Sequence, residues 1–325
     1  MRLAVIIPVF NDWTSLSQLM DSLEIVRVPN ETSFSLFVID DGSTEKGDIR
    51  YPLGTLNRIS EIEIIQLVSN LGHQRAIAIG LVELCGRNNF DAVLVMDSDG
   101  EDRPDDIPRL IAEFVAHPHH VICAQRQRRP GRIMFRLAYT IYKFIFYVST
   151  GSRIGFGNFC LIPSDKIAAL VSYSWVWNNL AGTLMRSHIP LIRMPSDRGK
   201  RYAGKSKMTF LSLVMHGLGT MAVYSDIIMV RLMLGALAVG AITLFGIVWV
   251  LFEKLFTDFA IPGWATSAVG LLVVILVQAV MIFATSAFSM INAQNTKVIV
   301  PKIDAQNYVK ARRKVSHRAS AAVAN

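Results

Sequence analysis

The chain has 325 residues, 52% of them hydrophobic, and 33 Lys/Arg against 25 Asp/Glu for a formal net charge of +8. That apolar share is high for a wholly soluble protein. The three cysteines (Cys85, Cys123, Cys160) each stand in an apolar stretch, which excludes a disulfide framework or a zinc spacing and reads as buried thiols.

Charge is unevenly spread. Residues 1–113 carry 9 Lys/Arg and 19 Asp/Glu, residues 114–226 carry 15 and 3, and residues 227–325 carry 9 and 3. A basic block after an acidic one points to an anionic partner: nucleic acid, phosphates or a membrane surface.

In chain order, residues 3–10 form an apolar strand run ended by Asn11 and Asp12, and a helical pattern covers residues 15–23. Residues 34–39 are a second strand, ending in Asp40-Asp41-Gly42-Ser43, and residues 62–67 a third. Asn70-Leu71-Gly72-His73-Gln74 then opens a helix. Residues 93–96 are a fourth strand, which runs into Asp97-Ser98-Asp99-Gly100-Glu101-Asp102. Strands alternating with helices predict an α/β fold with a mainly parallel sheet, and ligands of such sheets collect at the carboxyl ends of the strands. Asp97 and Asp99 are placed there to reach one hard cation, Mg2+ or Mn2+, with diphosphate oxygens and water completing its shell. The competing reading is an acidic turn capping the helix that begins near Pro104. Asp40 and Asp41 suit a base or ribose, because carboxylates accept from N–H and hydroxyl groups; the plain alternative is a Gly/Ser turn. No G-x-G-x-x-G follows the first strand and no P-loop occurs, which excludes a dinucleotide-binding dehydrogenase and a P-loop NTPase. His73 and His216 read as packing or hydrogen-bonding residues, since neither has a second His at metal spacing.

Beyond a strand at residues 121–124 stand Arg126, Arg128 and Arg129. Residues 132–149 read as a helix lying on a membrane, basic and aromatic on one face and apolar on the other, and residues 208–224 as a second. Between them lies Arg198-Gly199-Lys200-Arg201-Tyr202-Ala203-Gly204-Lys205-Ser206-Lys207, where glycines let backbone approach an anion and Arg and Lys supply charge. Arg129 and Lys200 suit an anionic lipid surface. Residues 227–252 and 265–291 are each long and apolar enough to span a bilayer, and only residues 253–264 separate them. That pattern selects a membrane over nucleic acid as the partner. The division is an N-terminal α/β domain over residues 1–225, a two-helix hairpin over 227–291 and a basic tail over 292–325. The tail's Lys and Arg place it and the α/β domain in the cytoplasm by the positive-inside rule. Small residues in the hairpin (Gly235, Ala236, Gly240, Gly270, Ala279) permit packing into a homo-oligomer.

Ile7-Pro8-Val9-Phe10-Asn11-Asp12, Asp40-Asp41-Gly42-Ser43, Asn70-Leu71-Gly72, Asp97-Ser98-Asp99 and Gly204-Lys205-Ser206-Lys207 together resemble glycosyltransferase family 2 in order and spacing. The branch most similar is that of the dolichyl- or polyprenyl-phosphate sugar synthases. The resemblance implies an A-type glycosyltransferase domain, with Pro8, Asp12, Asp40, Asp41, Asn70 and Asp97 at the nucleotide. It implies Asp97, Asp99 and Glu101 at the metal and diphosphate, and Arg126, Arg128, Arg198, Arg201, Ser206 and Lys207 at the acceptor phosphate. Asp99, Arg126, Arg201 and Lys207 are then the residues expected to carry catalysis. Asp12 stands where the family usually has Glu, and Glu101 where the branch often has Gln. Gly155 and Asn158 stand where an Asp is common, so this sequence offers no carboxylate there. A hydroxyl acceptor needs a general base, whereas a phosphate oxygen is already anionic near neutral pH. The implied activity is inverting transfer of a sugar from a nucleoside diphosphate sugar, UDP favoured, to a polyprenyl phosphate. The alternatives are a saccharide or glycolipid acceptor on the same fold, or a membrane-bound sugar-nucleotide module without catalysis.

Overall fold

The computed structural model describes residues 1–29, 31–45, 56–87, 89–126, 133–153, 155–203, 210–257, 263–296 and 298–315. The chain divides into two compact units. Residues 1–143, 152–223 and 299–325 belong to the first, and residues 144–151 and 224–298 to the second.

The first unit is built on one eight-stranded sheet. Its strands are β1 (Arg2–Val9), β2 (Ser33–Asp40), β3 (Ile59–Leu67), β4 (Ala92–Val95), β5 (Val121–Arg126), β6 (Cys160–Pro163), β7 (Leu191–Ser196) and β8 (Val309–Lys314). They lie in the order β7-β5-β6-β4-β1-β2-β3-β8. β1 pairs in parallel with β2 and β4, β2 with β3 and β5 with β7, while β6 and β8 run antiparallel to their neighbours. Six carboxyl ends therefore share one edge. β1, β2 and β4 are apolar almost throughout and buried, as strands covered on both faces must be.

The helices are α1 (Trp13–Ile25), α2 (His73–Leu84), α3 (Ile107–Ala116), α4 (Ile133–Thr150), α5 (Ser164–Leu170), α6 (Leu180–Arg186) and α7 (Phe210–Ala222). One buried cluster packs α2 and α6 on the sheet through Ile77, Leu81, Leu180 and Leu184, and a second packs α1 and α3 through Leu16, Leu19, Leu110 and Ile111. The result is an A-type arrangement with helices on both faces, as the strand–helix alternation predicts.

Three elements depart from the sequence reading. β6 is a four-residue run, too short to mark itself, and β7 is partly exposed. The third corrects the basic tail: within residues 292–325, β8 pairs with β3 from Leu67↔Val309 to Glu63↔Lys314. Its side chains are exposed, so its composition reads as a tail while main-chain bonds make it a strand. Arg312 adds a double hydrogen bond to the buried Glu83 of α2, at 2.7 and 2.8 Å, and Gln306 donates to the same carboxylate at 3.0 Å. Arg312 and Gln306 offset the burial of Glu83 and hold its pKa below the usual carboxylate value.

α4 and α7 cover the two segments expected to lie on a membrane. α4 leaves Ile141, Phe144, Ile145 and Val148 exposed, and α7 leaves Met215 and Leu218 exposed.

The second unit holds α8 (Ser225–Phe256) and α9 (Trp264–Asn295), packed along each other. Both are candidate membrane-spanning helices. Only 11% and 6% of their most apolar windows are buried, unlike the core helix of a soluble protein. Ala236 and Ala279, two of the small residues noted for association, are buried within this unit.

Candidate active site

Every residue that the motifs single out among those described lies at the edge formed by the carboxyl ends of β1 to β5 and β7. Pro8 is next to last in β1, opposite Ile39 of β2, and Asp12 is the N-cap of α1 without a capping hydrogen bond. Asp40 Oδ1 accepts the Ser43 N–H at 2.8 Å. Asp41 accepts from Leu71 N–H at 2.7 Å and Gly72 N–H at 3.0 Å. These buried acids thus tie down their own turn and the Asn70 loop, leaving Asn70 itself exposed. Burial outweighs the two hydrogen bonds and raises the pKa of Asp41. Gly42 is what lets the two loops meet. At φ +70, an added Cβ would lie 2.5 Å from Ser69 C and 2.6 Å from Asn70 N.

The acidic end of β4 and the basic segment after β7 form one cluster. Asp99 Oδ2 accepts from Arg201 Nη2 at 2.5 Å, and Glu101 is bonded to Arg198, with Arg201 Nε 3.5 Å and Arg126 Nη1 3.6 Å away. The segments also join through backbone: Tyr202 N–H donates to Asp99 O and Gly199 N–H to Glu101 O, both at 2.9 Å. A Cβ on Gly199 would fall 2.1 Å from Gly100 O, so this approach requires glycine. The extra charge of Glu101 is thereby neutralised by guanidinium groups. Burial, then the charges of Asp97 and Glu101, raise the pKa of Asp99. Arg128, Ser206 and Lys207 lie outside the described residues, as do Arg129 and Lys205.

Two residues that sequence reasoning left outside the site belong to it. Asp102 is buried, accepting Asp97 N–H at 3.0 Å on one oxygen and Arg126 Nη2 at 2.9 Å on the other. Burial and the charge of Asp97 push its pKa up to about 7. Nothing in the run of acids from Asp97 to Asp106 distinguishes it from a helix-capping residue. His73, first residue of α2, places Nε2 3.2 Å from Asp97 Oδ1 and 3.0 Å from Asn158 Nδ2. Desolvation pulls its pKa down, but the charge of Asp97 and the hydrogen bond to it more than compensate, and the net shift is upward. Its expected hydrogen-bonding role is therefore played inside the site.

The family resemblance implies a divalent cation. Among the described residues no three His, Cys, Asp or Glu side chains converge into a closed cage. Glu101 is paired with Arg198, with Arg201 and Arg126 nearby. Asp97 and Asp99 still fit an open site that phosphate and water complete, as Mg2+ and Mn2+ prefer, with Arg201 yielding Asp99. A groove lined by Met1, Asp91, Phe114, Pro118, His119 and Asp165 lies at the opposite, amino end of the strands and contains none of these residues.

Residues 4–164 match the model of Glycosyl transferase family 2. The chain is 25% identical over 291 residues to the undecaprenyl-phosphate 4-deoxy-4-formamido-L-arabinose transferase of Salmonella choleraesuis, covering 85% of this chain and 82% of the relative. The Salmonella newport protein of that name matches to the same extent. Among solved structures, S. aureus TarS 1–349 matches with a TM-score of 0.44 at 16% identity, over 94% of this chain and 78% of that one. Glucosyl-3-phosphoglycerate synthase from Mycobacterium tuberculosis matches at 0.45 and 14%, over 70% and 79%.

Proposed function

We propose that this chain, a glycosyltransferase whose residues 4–164 form a glycosyltransferase family 2 domain, moves a sugar from a nucleoside diphosphate sugar to a polyprenyl phosphate at the cytoplasmic face of a membrane. One observation carries the reading. The acids following β4, Arg126 at the end of β5 and the arginines following β7 share a single cluster, in a chain that also holds two 32-residue apolar helices. The acceptor class is supported by the relatives, which are named for transfer to undecaprenyl phosphate.

In this reading Asp12, Asp40, Asp41 and Asn70 border the nucleotide, and UDP remains the favoured carrier. Arg126 and Arg201, with Lys207 and Ser206, hold the acceptor phosphate in line with the sugar, and Arg201 also meets the donor diphosphate; such positioning supplies much of the rate. A divalent cation at Asp97 and Asp99 would take up charge on the leaving diphosphate. Asn158 accepts from Gln74 at 3.1 Å and contacts His73, so an amide occupies the place where the family commonly has a carboxylate. A phosphate acceptor needs no proton removed, so an amide here suits it, whereas a hydroxyl acceptor would lack the carboxylate base at this position. β8 returns to the sheet after α9, so the segments flanking the apolar pair belong to one fold on one side of the bilayer. The positive-inside rule supports the cytoplasm as that side.

The test is to give purified full chain a panel of nucleotide sugars and a short polyprenyl phosphate with Mn2+. A lipid-linked monosaccharide in the organic extract is expected. Sugar transfer to a saccharide or glycolipid, with none to the prenyl phosphate, overturns the acceptor assignment.

A further inference from the structure

We propose that Tyr202 is a positioning residue for Arg201. Its ring pegs the arginine-bearing segment to the acidic turn after β4, so that Arg201 stays beside the phosphates once its ion pair with Asp99 is given up. This rests on the reading above, in which Arg201 meets the phosphates of donor and acceptor.

Tyr202 is tied to two separate parts of the fold. Its N–H donates to Asp99 O at 2.9 Å. Its ring lies against Gly100, where an added Cβ would stand 2.8 Å from Cδ2 and Cε2 and 2.9 Å from Cγ. Gly100 is at φ +83, so glycine serves twice there, turning the chain and leaving a bare face for the ring. The Tyr202 hydroxyl reaches α1 and donates to Ser22 Oγ at 3.0 Å. That direction follows because Ser22 Oγ donates its own hydrogen to Gln18 O at 2.8 Å. The side chain also packs against the apolar cluster of α1 and α3. The turn, the arginine segment and α1 are thus joined at one residue.

Charge alone cannot keep that junction in place during the reaction. The same two segments are linked by the pairs Arg201–Asp99 and Arg198–Glu101, which cation and phosphate are placed to displace. The contacts of Tyr202 are to a main-chain oxygen, a glycine and a hydroxyl, for which an incoming ion does not compete. With its backbone fixed, Arg201 can move its head group from carboxylate to phosphate without the segment leaving. An error of about 1 Å in such placement costs about 100-fold in rate. A plain packing residue would lower stability and leave the contribution of Arg201 intact. A positioning residue makes that contribution depend on itself, and the two replacements are then non-additive.

The experiment is a double-mutant cycle on purified full chain. It reads UDP affinity by calorimetry in excess Mn2+, kcat/KM for transfer to a short polyprenyl phosphate, and a thermal melt. Arg201→Ala alone should weaken UDP by about tenfold or more, the loss of a charged hydrogen bond. In the Tyr202→Ala background the same replacement should change UDP affinity by less than about threefold, because Arg201 no longer stands where phosphate arrives. Tyr202→Phe keeps the ring on Gly100 and should restore the dependence on Arg201; failure to do so overturns the assignment to the ring. If Tyr202→Ala does not fold, Tyr202→Leu takes its place in the cycle, keeping apolar bulk against the cluster without the ring. Additive effects of the two replacements, or loss of the fold in both Tyr202 variants, make Tyr202 a packing residue and overturn the inference. No effect of Arg201→Ala in the otherwise wild-type chain overturns both this inference and the place of Arg201 at the phosphates. No transfer to the prenyl phosphate, with the UDP cycle as expected, overturns the acceptor assignment and leaves the role of Tyr202 standing.

Discussion

Asp102→Asn separates support of the site from stability of the fold. The carboxylate is 4% exposed and accepts two donors, Asp97 N–H at 3.0 Å and Arg126 Nη2 at 2.9 Å. An amide of the same shape offers one oxygen, so one of those donors would face an NH2 group. Losing one hydrogen bond to a charged group costs about 1.5–3 kcal/mol. Expressed wholly in the transition state, that is a fall of about 10- to 150-fold in kcat/KM. Stability should stay near level, because the same lost hydrogen bond is offset by the neutral isostere sparing the fold a buried charge whose pKa burial pushes up to about 7. Initial rates over a range of donor concentration, with a thermal melt of the same sample, read both quantities. A kcat/KM within roughly threefold of wild type would refute the role given to Asp102. A melting temperature that falls in step with activity would make Asp102 a structural strut instead.

Replacing Arg312 with Leu should lower stability by about 1–3 kcal/mol, the figure for a buried pair reduced for the partial exposure of the arginine. Because Arg312 depresses the Glu83 pKa below 4.5, this stabilisation is fully present above pH 4.5 and fades as pH falls further; melts of both proteins should converge in acid. Gly42→Ala, forced into φ +70 against the Asn70 loop, should cost about 1–3 kcal/mol and weaken nucleotide binding, both measurable by thermal shift with and without UDP.

The parallel part of the sheet was legible because β1, β2 and β4 are continuous apolar runs, each followed by polar residues at one edge. The acids after β4 and the arginines beyond β7 are assigned to one site by the family resemblance, not by topology, because β7 does not mark itself in the sequence. Their pairing was not legible, since nothing local to Arg201 states that its partner is Asp99, 102 positions earlier. His73 stayed hidden for the same reason, and Asp102 because it stands among five other acids that a helix N-terminus also explains. β8 illustrates a different limit. An edge strand needs only main-chain pairing, so Val-Lys-Ala-Arg-Arg-Lys can be a strand while composed like a tail.

The cluster itself implies that cation and diphosphate bind as a pair. Asp97, Asp99, Glu101 and Asp102 face Arg126, Arg198 and Arg201, with Asp99 and Glu101 held directly by guanidinium groups. A cation arriving alone must draw Asp99 away from Arg201 and leave that arginine uncompensated in a half-buried site. Diphosphate arriving alone must draw off the arginines and leave the carboxylates facing one another. Arriving together, the two exchange partners with the protein: phosphate takes the guanidinium groups as the cation takes the carboxylates, and neither set is stranded. The coupling free energy should therefore be favourable, about 1–3 kcal/mol, which is 5- to 150-fold in either affinity and the same in both directions. Calorimetric titration of UDP with and without Mn2+, and of Mn2+ with and without UDP, closes the cycle. Arg201→Ala frees Asp99 beforehand, so it should tighten Mn2+ binding on its own, weaken UDP on its own and shrink the coupling. Independent affinities in the wild-type protein, or coupling undiminished in Arg201→Ala, would mean that the ion pairs of the resting site are not what the ligands displace.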